Sequence, residues 1–273
     1  MSNAFPSPIL MILLSEPFSI TAEALQTYLR EQLNPNVTVT GDSNCTESFI
    51  ITWNDMAFSI MSVDQPIPHQ TFEAALRTRP GLENGEKIIA KHNTHIIISS
   101  LIASDKQLKS IFIALGLMTV ADMIARIADP EGFYWGNSEV LVENQEFANY
   151  TDQAGEALGK FNQKVPNALY GLPATFWTGI RFYSPDQATQ FGAITKGLDA
   201  LTGFEIQIDP YINTQAEVAK HLMGMVAYIL ANGPVFVDGN TIGIEQDKNF
   251  KMNLVPAKAG MPARWVMKLV VQH

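Results

Sequence analysis

The chain has 273 residues with 27 acidic and 18 basic side chains, so its net charge is −9. Charged residues make up only 16% of the sequence and hydrophobic residues 47%, whereas ordinary soluble domains carry about 25% charged residues. This composition excludes a disordered chain, the single cysteine excludes a disulfide framework, and the net negative charge disfavours a nucleic-acid partner. We therefore expect a folded protein with a large apolar core.

The first apolar run, Ile9 to Leu14, predicts a buried strand rather than a secretory signal. It is short, it lacks a basic flank, and it ends at Glu16-Pro17. The next long apolar stretch, Ile111 to Leu117, falls short of the roughly 20 residues that cross a bilayer. These two runs favour a cytoplasmic protein without membrane contact.

Local signals in the N-terminal region predict a helix and a hairpin after this first strand. The helix runs from about Thr21 to Leu33, where apolar residues recur at helical spacing. The strands Phe49–Trp53 and Ala57–Val63 are joined by Asn54-Asp55, a pair typical of tight turns. The pattern indicates a strand, a helix and two further strands.

A strand–helix–strand unit comes next in the chain. His95–Ile102 is an apolar run of strand length, and Ser104-Asp105-Lys106-Gln107 has the spacing of a capping box at the start of a helix. We expect a long apolar helix from there to about Ala128. Val140–Val142 is the following strand.

The same order of elements recurs in the last third of the chain. Phe204–Ile208 is a predicted strand, and Thr214-Gln215-Ala216-Glu217 is again a capping box before a helix. Val235–Val237 and Thr241–Ile244 flank Asp238-Gly239-Asn240, which predicts a hairpin.

The two units suggest an internal repeat, although two unrelated strand–helix–strand pieces can be alike by chance. We predict an α+β fold of two related split-βαβ, ferredoxin-like halves, with mostly antiparallel sheets and helices on one face. The loop from Lys160 to Pro173 divides the chain into an N-terminal half, residues 1–160, and a C-terminal half, residues 174–273. We expect the halves to pack as one compact unit.

Three polar residues could form a dispersed catalytic site. The sequence has no GxSxG, HExxH, CxxC or GxGxxG motif, so it predicts no metal, no cofactor and no familiar catalytic constellation. Glu205 lies on the polar face of an alternating strand, Arg181 on a neighbouring strand can pair with it, and His221 flanks the inner face of the second long helix. The plainer interpretation is that Glu205 faces solvent and His221 is partly buried.

Two aromatic clusters and two polar turns are candidates for a partner-binding surface. Large aromatics usually lie in cores, but alternation along a strand places at least one of each aromatic pair on the outer face. An exposed aromatic would anchor a partner, and the polar turns would frame the cleft. The residues concerned are Tyr134, Trp135, Asn137, Trp177 and Asn240.

Four stretches of the chain carry a family resemblance: Leu13 to Pro17, Tyr134-Trp135-Gly136, Gly197 to Glu205, and Leu230 to Gly243. With these residues the chain resembles bacterial proteins grouped as domain of unknown function 4261. The resemblance covers nearly the whole chain, and its C-terminal third is the most specific part. It implies an α+β protein of the bacterial cytoplasm. It implies no activity, so no catalytic residue can be assigned from it.

Two functions follow from these observations. The preferred function is a non-catalytic protein-interaction module, such as an immunity or accessory factor, because catalytic motifs are absent and acidic charge suits a protein partner. The partner's identity is open, and a homodimer is left open too. The alternative is an enzyme that acts on a small molecule with His221, Glu205 and Arg181 between the halves. Convergence of those three in a cleft would favour the enzyme, and an exposed aromatic patch would favour the binding module.

Overall fold

Two β-sheets, one from each end of the chain, form the frame of the fold. The computed structural model describes residues 4–41, 47–78, 84–185, 189–245 and 248–270. The N-terminal sheet has seven antiparallel strands: β1 (Ile9–Leu14), β2 (Thr38–Thr40), β3 (Ser48–Trp53), β4 (Met56–Val63), β5 (Thr94–Ser100), β6 (Gly132–Trp135) and β7 (Val140–Val142). They lie in the order β2-β3-β4-β5-β1-β6-β7.

The C-terminal sheet has six strands and is mixed. They are β8 (Gly179–Tyr183), β9 (Gln190–Lys196), β10 (Phe204–Ile212), β11 (Thr241–Glu245), β12 (Lys248–Val255) and β13 (Ala263–Leu269). Their order is β11-β12-β13-β10-β9-β8. Strands β10 and β13 are parallel, and all the other neighbouring pairs are antiparallel.

Eight α-helices connect and cover these strands in the part of the chain that the structure describes. They are α1 (Ala22–Gln32), α2 (Glu73–Thr78), α3 (Gly85–Lys91), α4 (Gln107–Ala128), α5 (Asn144–Asn162), α6 (Ala174–Trp177), α7 (Asp199–Thr202) and α8 (Gln215–Asn232). Short 3₁₀ turns lie at His69–Phe72 and Ala168–Gly171. The fold is α+β, as the sequence predicts.

The central position of β1 explains its apolar sequence. It pairs with β5 on one side and β6 on the other, and apolar side chains cover both of its faces. Leu10 and Ile12 join the main hydrophobic cluster, whereas Leu13 packs on the opposite face with Phe72 and Ile88 of the α2–α3 region. The expectation of helices on one face only is therefore wrong for the N-terminal sheet.

Helix α4 is the apolar centre of the molecule. By length and composition it could cross a membrane, but 61% of its most apolar window is buried inside the fold, as in the core helix of a globular protein. It packs on β1, β4 and β5 and contacts α5 and α7. One hydrophobic cluster joins α4 to both sheets. Each sheet thus comes from one predicted half, while the division into residues 1–160 and 174–273 stays a prediction.

The two predicted capping boxes have different outcomes. At α8 the Thr214 hydroxyl accepts from the Glu217 N–H, and the Glu217 carboxylate accepts from the Thr214 N–H, so this box is confirmed. At α4 the box is absent, because the helix begins at Gln107 and the Ser104 hydroxyl instead accepts from the Lys106 N–H. The Gln107 amide donates to the carbonyl of Ile229 at the end of α8 (2.7 Å), which joins the two long helices.

The predicted hairpin at Asp238-Gly239-Asn240 is wrong, since Val235–Val237 is not a strand. The segment after α8 runs beside β12 instead. The Gly239 N–H donates to the Met252 carbonyl, and the Met252 N–H donates to the Asn240 carbonyl, both at 2.8 Å. Strand β11 forms its hairpin with β12, the next strand along the chain.

Candidate functional site

The turn Gly136-Asn137-Ser138 lies at the junction of the two sheets. The Asn137 carboxamide accepts from the Ile9 N–H (2.8 Å) and donates to the Ser7 carbonyl (3.1 Å), so it fixes the start of β1. The Ser138 hydroxyl donates to the Phe176 carbonyl of α6 (2.8 Å). Asn137, a predicted binding residue, therefore makes contacts that hold the fold together.

Two glycines of the C-terminal sheet let this turn approach closely. A Cβ atom at Gly179 would lie 2.2 Å from the Ser138 carbonyl oxygen, so only glycine fits there. Gly197 has a φ of +89°, and a Cβ on it would lie 2.7 Å from the Asn137 carbonyl carbon. The backbones of the two halves are in direct contact at this turn, so the turn is a rigid boundary for a neighbouring site.

The aromatic candidates lie in the core. Trp135 is 1% exposed and Trp177 is fully buried, so neither forms an exposed patch. Trp135 belongs to β6, a strand buried along its whole length, and its ring lies 5.2 Å from that of Phe176. Trp177 is in helix α6 rather than a strand, and its indole N–H donates to the Met118 sulfur (3.1 Å). The exposure that a surface role requires is missing.

The other two binding candidates differ in their surroundings. Tyr134 is buried on the α2 side of the sheet, where its hydroxyl donates to the Thr71 carbonyl (3.2 Å). Burial raises the pKa of Tyr134 to about 12. Asn240 is exposed, and its carbonyl accepts from the Met252 N–H. A binding role for these residues stays a prediction.

The three catalytic candidates do not converge. His221 is 2% exposed on α8, where its Nδ1 atom lies 2.8 Å from the Tyr211 hydroxyl and its ring faces Phe250. Helix α8 covers the face of the C-terminal sheet that carries Ile206 and Ile208. By strand alternation Glu205 points to the opposite face. His221 is thus separated from Glu205 by the sheet itself.

The opposite face of the C-terminal sheet, called here the open face, gathers basic side chains. The strand register places Arg264 beside Glu205, and Lys251 beside Lys268, on this face. Arg181 of β8 is opposite Ile194 of β9, which is opposite Gln207 of β10, so the Arg181 side chain also lies on this face. The side chains of Arg181, Lys196 and Lys268 are 51%, 41% and 60% exposed. The basic residues of the open face are Arg181, Lys196, Lys251, Arg264 and Lys268.

Carboxylates compensate this charge only in part. Glu139 lies 2.5 Å from Arg181 and 4.0 Å from Lys196, and Asp209 lies 3.5 Å from Lys268. Within the described part of the chain, neither Lys251 nor Arg264 has an ion pair. The buried Nε atom of Arg264 also has no hydrogen-bond partner among those residues.

Glu205 adds little negative charge to the open face at neutral pH. It is 4% exposed, and it accepts from the Thr195 hydroxyl (2.5 Å) and the Gly197 N–H (2.7 Å). Burial, followed by the neighbouring Asp199 carboxylate, raises the pKa of Glu205 to about 8. Glu205 is therefore largely protonated and neutral around pH 7.

Two cavities meet at Arg181 and Lys196, which line both of them. The first, of about 310 Å³, lies over Glu205 and is also lined by Asp199 and Arg264; we call it the Arg264 pocket. The second, of about 660 Å³, lies between α2 and the sheet junction. Together they form a depression at the meeting point of the two sheets, lined by four basic and four acidic side chains.

The histidines near β5 serve the fold. His92 accepts from the Ile67 N–H (3.0 Å), and His95 donates from Nδ1 to the Gln65 carbonyl (2.9 Å). Burial lowers the pKa of His95, which favours its neutral form. Across the residues that the structure describes, no group of three His, Cys, Asp or Glu side chains is placed to hold a metal ion.

Residues 194–270 match a family described as Domain of unknown function (DUF4261). The match confirms the resemblance for Gly197 to Glu205 and Leu230 to Gly243, and it contains Lys196, Lys251 and Arg264 of the open face. The curated proteins and the solved structures give no significant match to the chain. The family description carries no activity, so function rests on the geometry.

Proposed function

We propose that this protein is a non-catalytic protein-interaction module of the bacterial cytoplasm, an immunity or accessory factor, and that it binds its partner through the open face. One observation carries the proposal. A chain with 18 basic residues and a net charge of −9 places five of those basic residues on one exposed sheet face. Complementary charge guides a partner to such a surface and fixes its orientation.

The arrangement of Lys251 and Lys268 supports this interpretation. The two residues are directly opposed on β12 and β13, and both are exposed. Like charges placed directly opposite each other destabilise a sheet. An acidic partner would relieve the repulsion, so the two lysines that are unfavourable in the isolated protein would be favourable in the complex.

The enzyme is the second candidate, and the carboxyl pair of Glu205 and Asp199 favours it. A strongly perturbed pKa beside a cavity is typical of catalytic groups. However, both oxygens of Glu205 already accept hydrogen bonds from Thr195 and Gly197, and His221 lies behind the sheet. The proposed trio therefore cannot act on one substrate, and the binding module is preferred.

We also propose that two strand–helix–strand units are related halves of split-βαβ type: β10–α8–β11, and β5–α4–β6, in which β6 takes the place of the predicted Val140–Val142 as the strand after the helix. In both units the strands joined by the helix are parallel. One strand, β1, lies between β5 and β6, whereas two strands, β13 and β12, lie between β10 and β11. The two units share one feature: other strands lie between the two parallel strands that the helix connects.

Affinity capture from the native host with mass spectrometry tests the binding module. The bait variant carries Lys251→Glu and Lys268→Glu, and the matched control carries Lys87→Glu and Lys91→Glu on α3, away from the open face. We expect the wild-type protein and the control to retain the same partner and the open-face variant to lose it. Equal capture by all three would contradict the proposal, and recovery of the chain itself would identify a homodimer.

A further inference from the structure

We infer that the Arg264 pocket binds one carboxylate group, that of an acidic side chain on the partner protein. This inference rests on the proposed function and names the chemistry that the open face recognises. The pocket is defined by Arg181, Lys196, Asp199, Glu205 and Arg264, with a volume of about 310 Å³. Pockets that bind small ligands occupy about 300–1,000 Å³, so this one suits a single side chain or a small molecule.

Arg264 is the group that points to an oxyanion. Its Nε–H is buried, and it has no hydrogen-bond partner among the described residues. The two terminal nitrogens of a guanidinium also form a planar fork, from which a carboxylate accepts two parallel hydrogen bonds, and Arg264 lines the pocket. The carboxyl of Glu205, opposite Arg264 on the parallel strand β10, is already engaged by Thr195 and Gly197. An external carboxylate would supply the ion pair that Arg264 lacks among the described residues.

The charge of the pocket selects a monoanion. Arg181, Lys196 and Arg264 supply three positive charges, and Glu139, which pairs with Arg181, supplies one negative charge. Asp199 supplies one more formal negative charge, and Glu205, whose pKa burial raises, adds little. One positive charge is left over. A single carboxylate neutralises it, whereas a phosphate dianion would leave uncompensated negative charge in a partly buried site.

The walls of the pocket fit the rest of an acidic side chain. Ile194, Met261 and Pro262 line it beside the charged groups. Apolar walls of this kind pack against the methylene groups of a glutamate while its carboxylate reaches Arg264. A glutamate on the partner is the occupant that uses both parts of the site.

Titration with short peptides tests the site directly. The probes are an acetylated peptide of alternating Glu and Gly residues, its Gln counterpart and inorganic phosphate, with binding followed by isothermal titration calorimetry. The variants are Arg264→Met, which removes the fork and the charge, and Arg264→Lys, which keeps only the charge. Lys87→Met on α3 is the matched control, and circular dichroism checks that each variant is folded.

We expect the Glu peptide to bind the wild-type protein and the control equally well. Its affinity should fall by about tenfold or more in Arg264→Met and by a smaller factor in Arg264→Lys, because bidentate pairs exceed point charges in strength. Equal binding of the Gln peptide, tighter binding of phosphate, or unchanged affinity in folded Arg264→Met would overturn the inference. Peptide binding without any captured partner would instead count against the proposed function alone.

Discussion

Truncation of Trp135 separates a core role from a binding role for the aromatic cluster. The side chain is 1% exposed, with its ring 5.2 Å from Phe176 and 6.2 Å from Trp177. Removal of a fully buried tryptophan forfeits its transfer free energy and leaves a cavity, at a typical cost of about 3–5 kcal/mol. Since whole domains are stable by about 5–15 kcal/mol, Trp135→Ala should leave a marginally folded protein.

Urea unfolding followed by far-ultraviolet circular dichroism measures this loss. The matched control is Tyr228→Ala, because Tyr228 is 42% exposed on α8 and surface truncations of this kind change stability by about 0.5 kcal/mol. If Trp135 were a surface anchor, the variant would keep its stability and lose only partner capture. A free-energy loss below about 1 kcal/mol for Trp135→Ala would therefore refute the core assignment.

Two further predictions concern the open face. Because the pKa of Glu205 rises from 4.5 in the unfolded chain to about 8 in the fold, the native state retains a proton that the unfolded state releases. Its contribution to stability is therefore greatest below pH 4.5 and falls by about 1.4 kcal/mol per pH unit up to pH 8. Glu205→Gln should abolish this pH-dependent component. The free energy of urea unfolding at pH 5, 7 and 9 should therefore rise in the variant relative to the wild-type protein as pH rises. Equal pH dependence of the two unfolding free energies would contradict the pKa shift. Lys251→Glu should raise stability by about 0.2–1 kcal/mol, because it replaces a like-charge pair with Lys268 by an attractive one. A lower urea midpoint in this variant would show that the lysines do not repel each other.

Much of the fold could be predicted because its signals are local. The apolar run of β1, the hairpin of β3 and β4, and the Thr214 capping box of α8 each depend on neighbouring residues in the sequence. The predicted Ser104 box does not form, because the Ser104 hydroxyl bonds the backbone of Lys106 and the Gln107 side chain donates to the end of α8. Local spacing cannot show that competition.

The aromatic cluster shows a different limit of the sequence. Alternation correctly separates the two faces of β6, since Tyr134 and Trp135 belong to different hydrophobic clusters. It cannot show that both faces are covered, which depends on α2 and α3 packing on one side and α4 and α5 on the other. At β6 the outer face on which the surface hypothesis relies is therefore covered.

Only the part of the candidate site that follows from alternation within a single strand could be predicted from the sequence. Alternation places Glu205 on a polar face, and Arg181, two strands away on β8, lies on that same face but pairs with Glu139. Arg264 was missed because it lies about 60 residues further along and joins Glu205 only through the parallel pairing of β10 and β13. The sequence does contain a pattern that predicts this face, since Arg264 and Lys268 lie on the side of β13 opposite to the buried Trp265 and Met267.

Three arrangements on the open face each cost the isolated protein stability. Lys251 opposes Lys268, Glu205 must hold a proton to remain buried, and the Nε–H of Arg264 is without a partner among the described residues. Taken one at a time, each arrangement can be explained without a binding function. All three, however, share one face of one sheet, and an anionic occupant would neutralise charge on Lys251, Lys268 and Arg264. An unfavourable local structure that a ligand resolves is typical of a binding surface. Replacing Lys251 should therefore gain stability and lose the partner in the same protein, an outcome that a purely structural face would not produce.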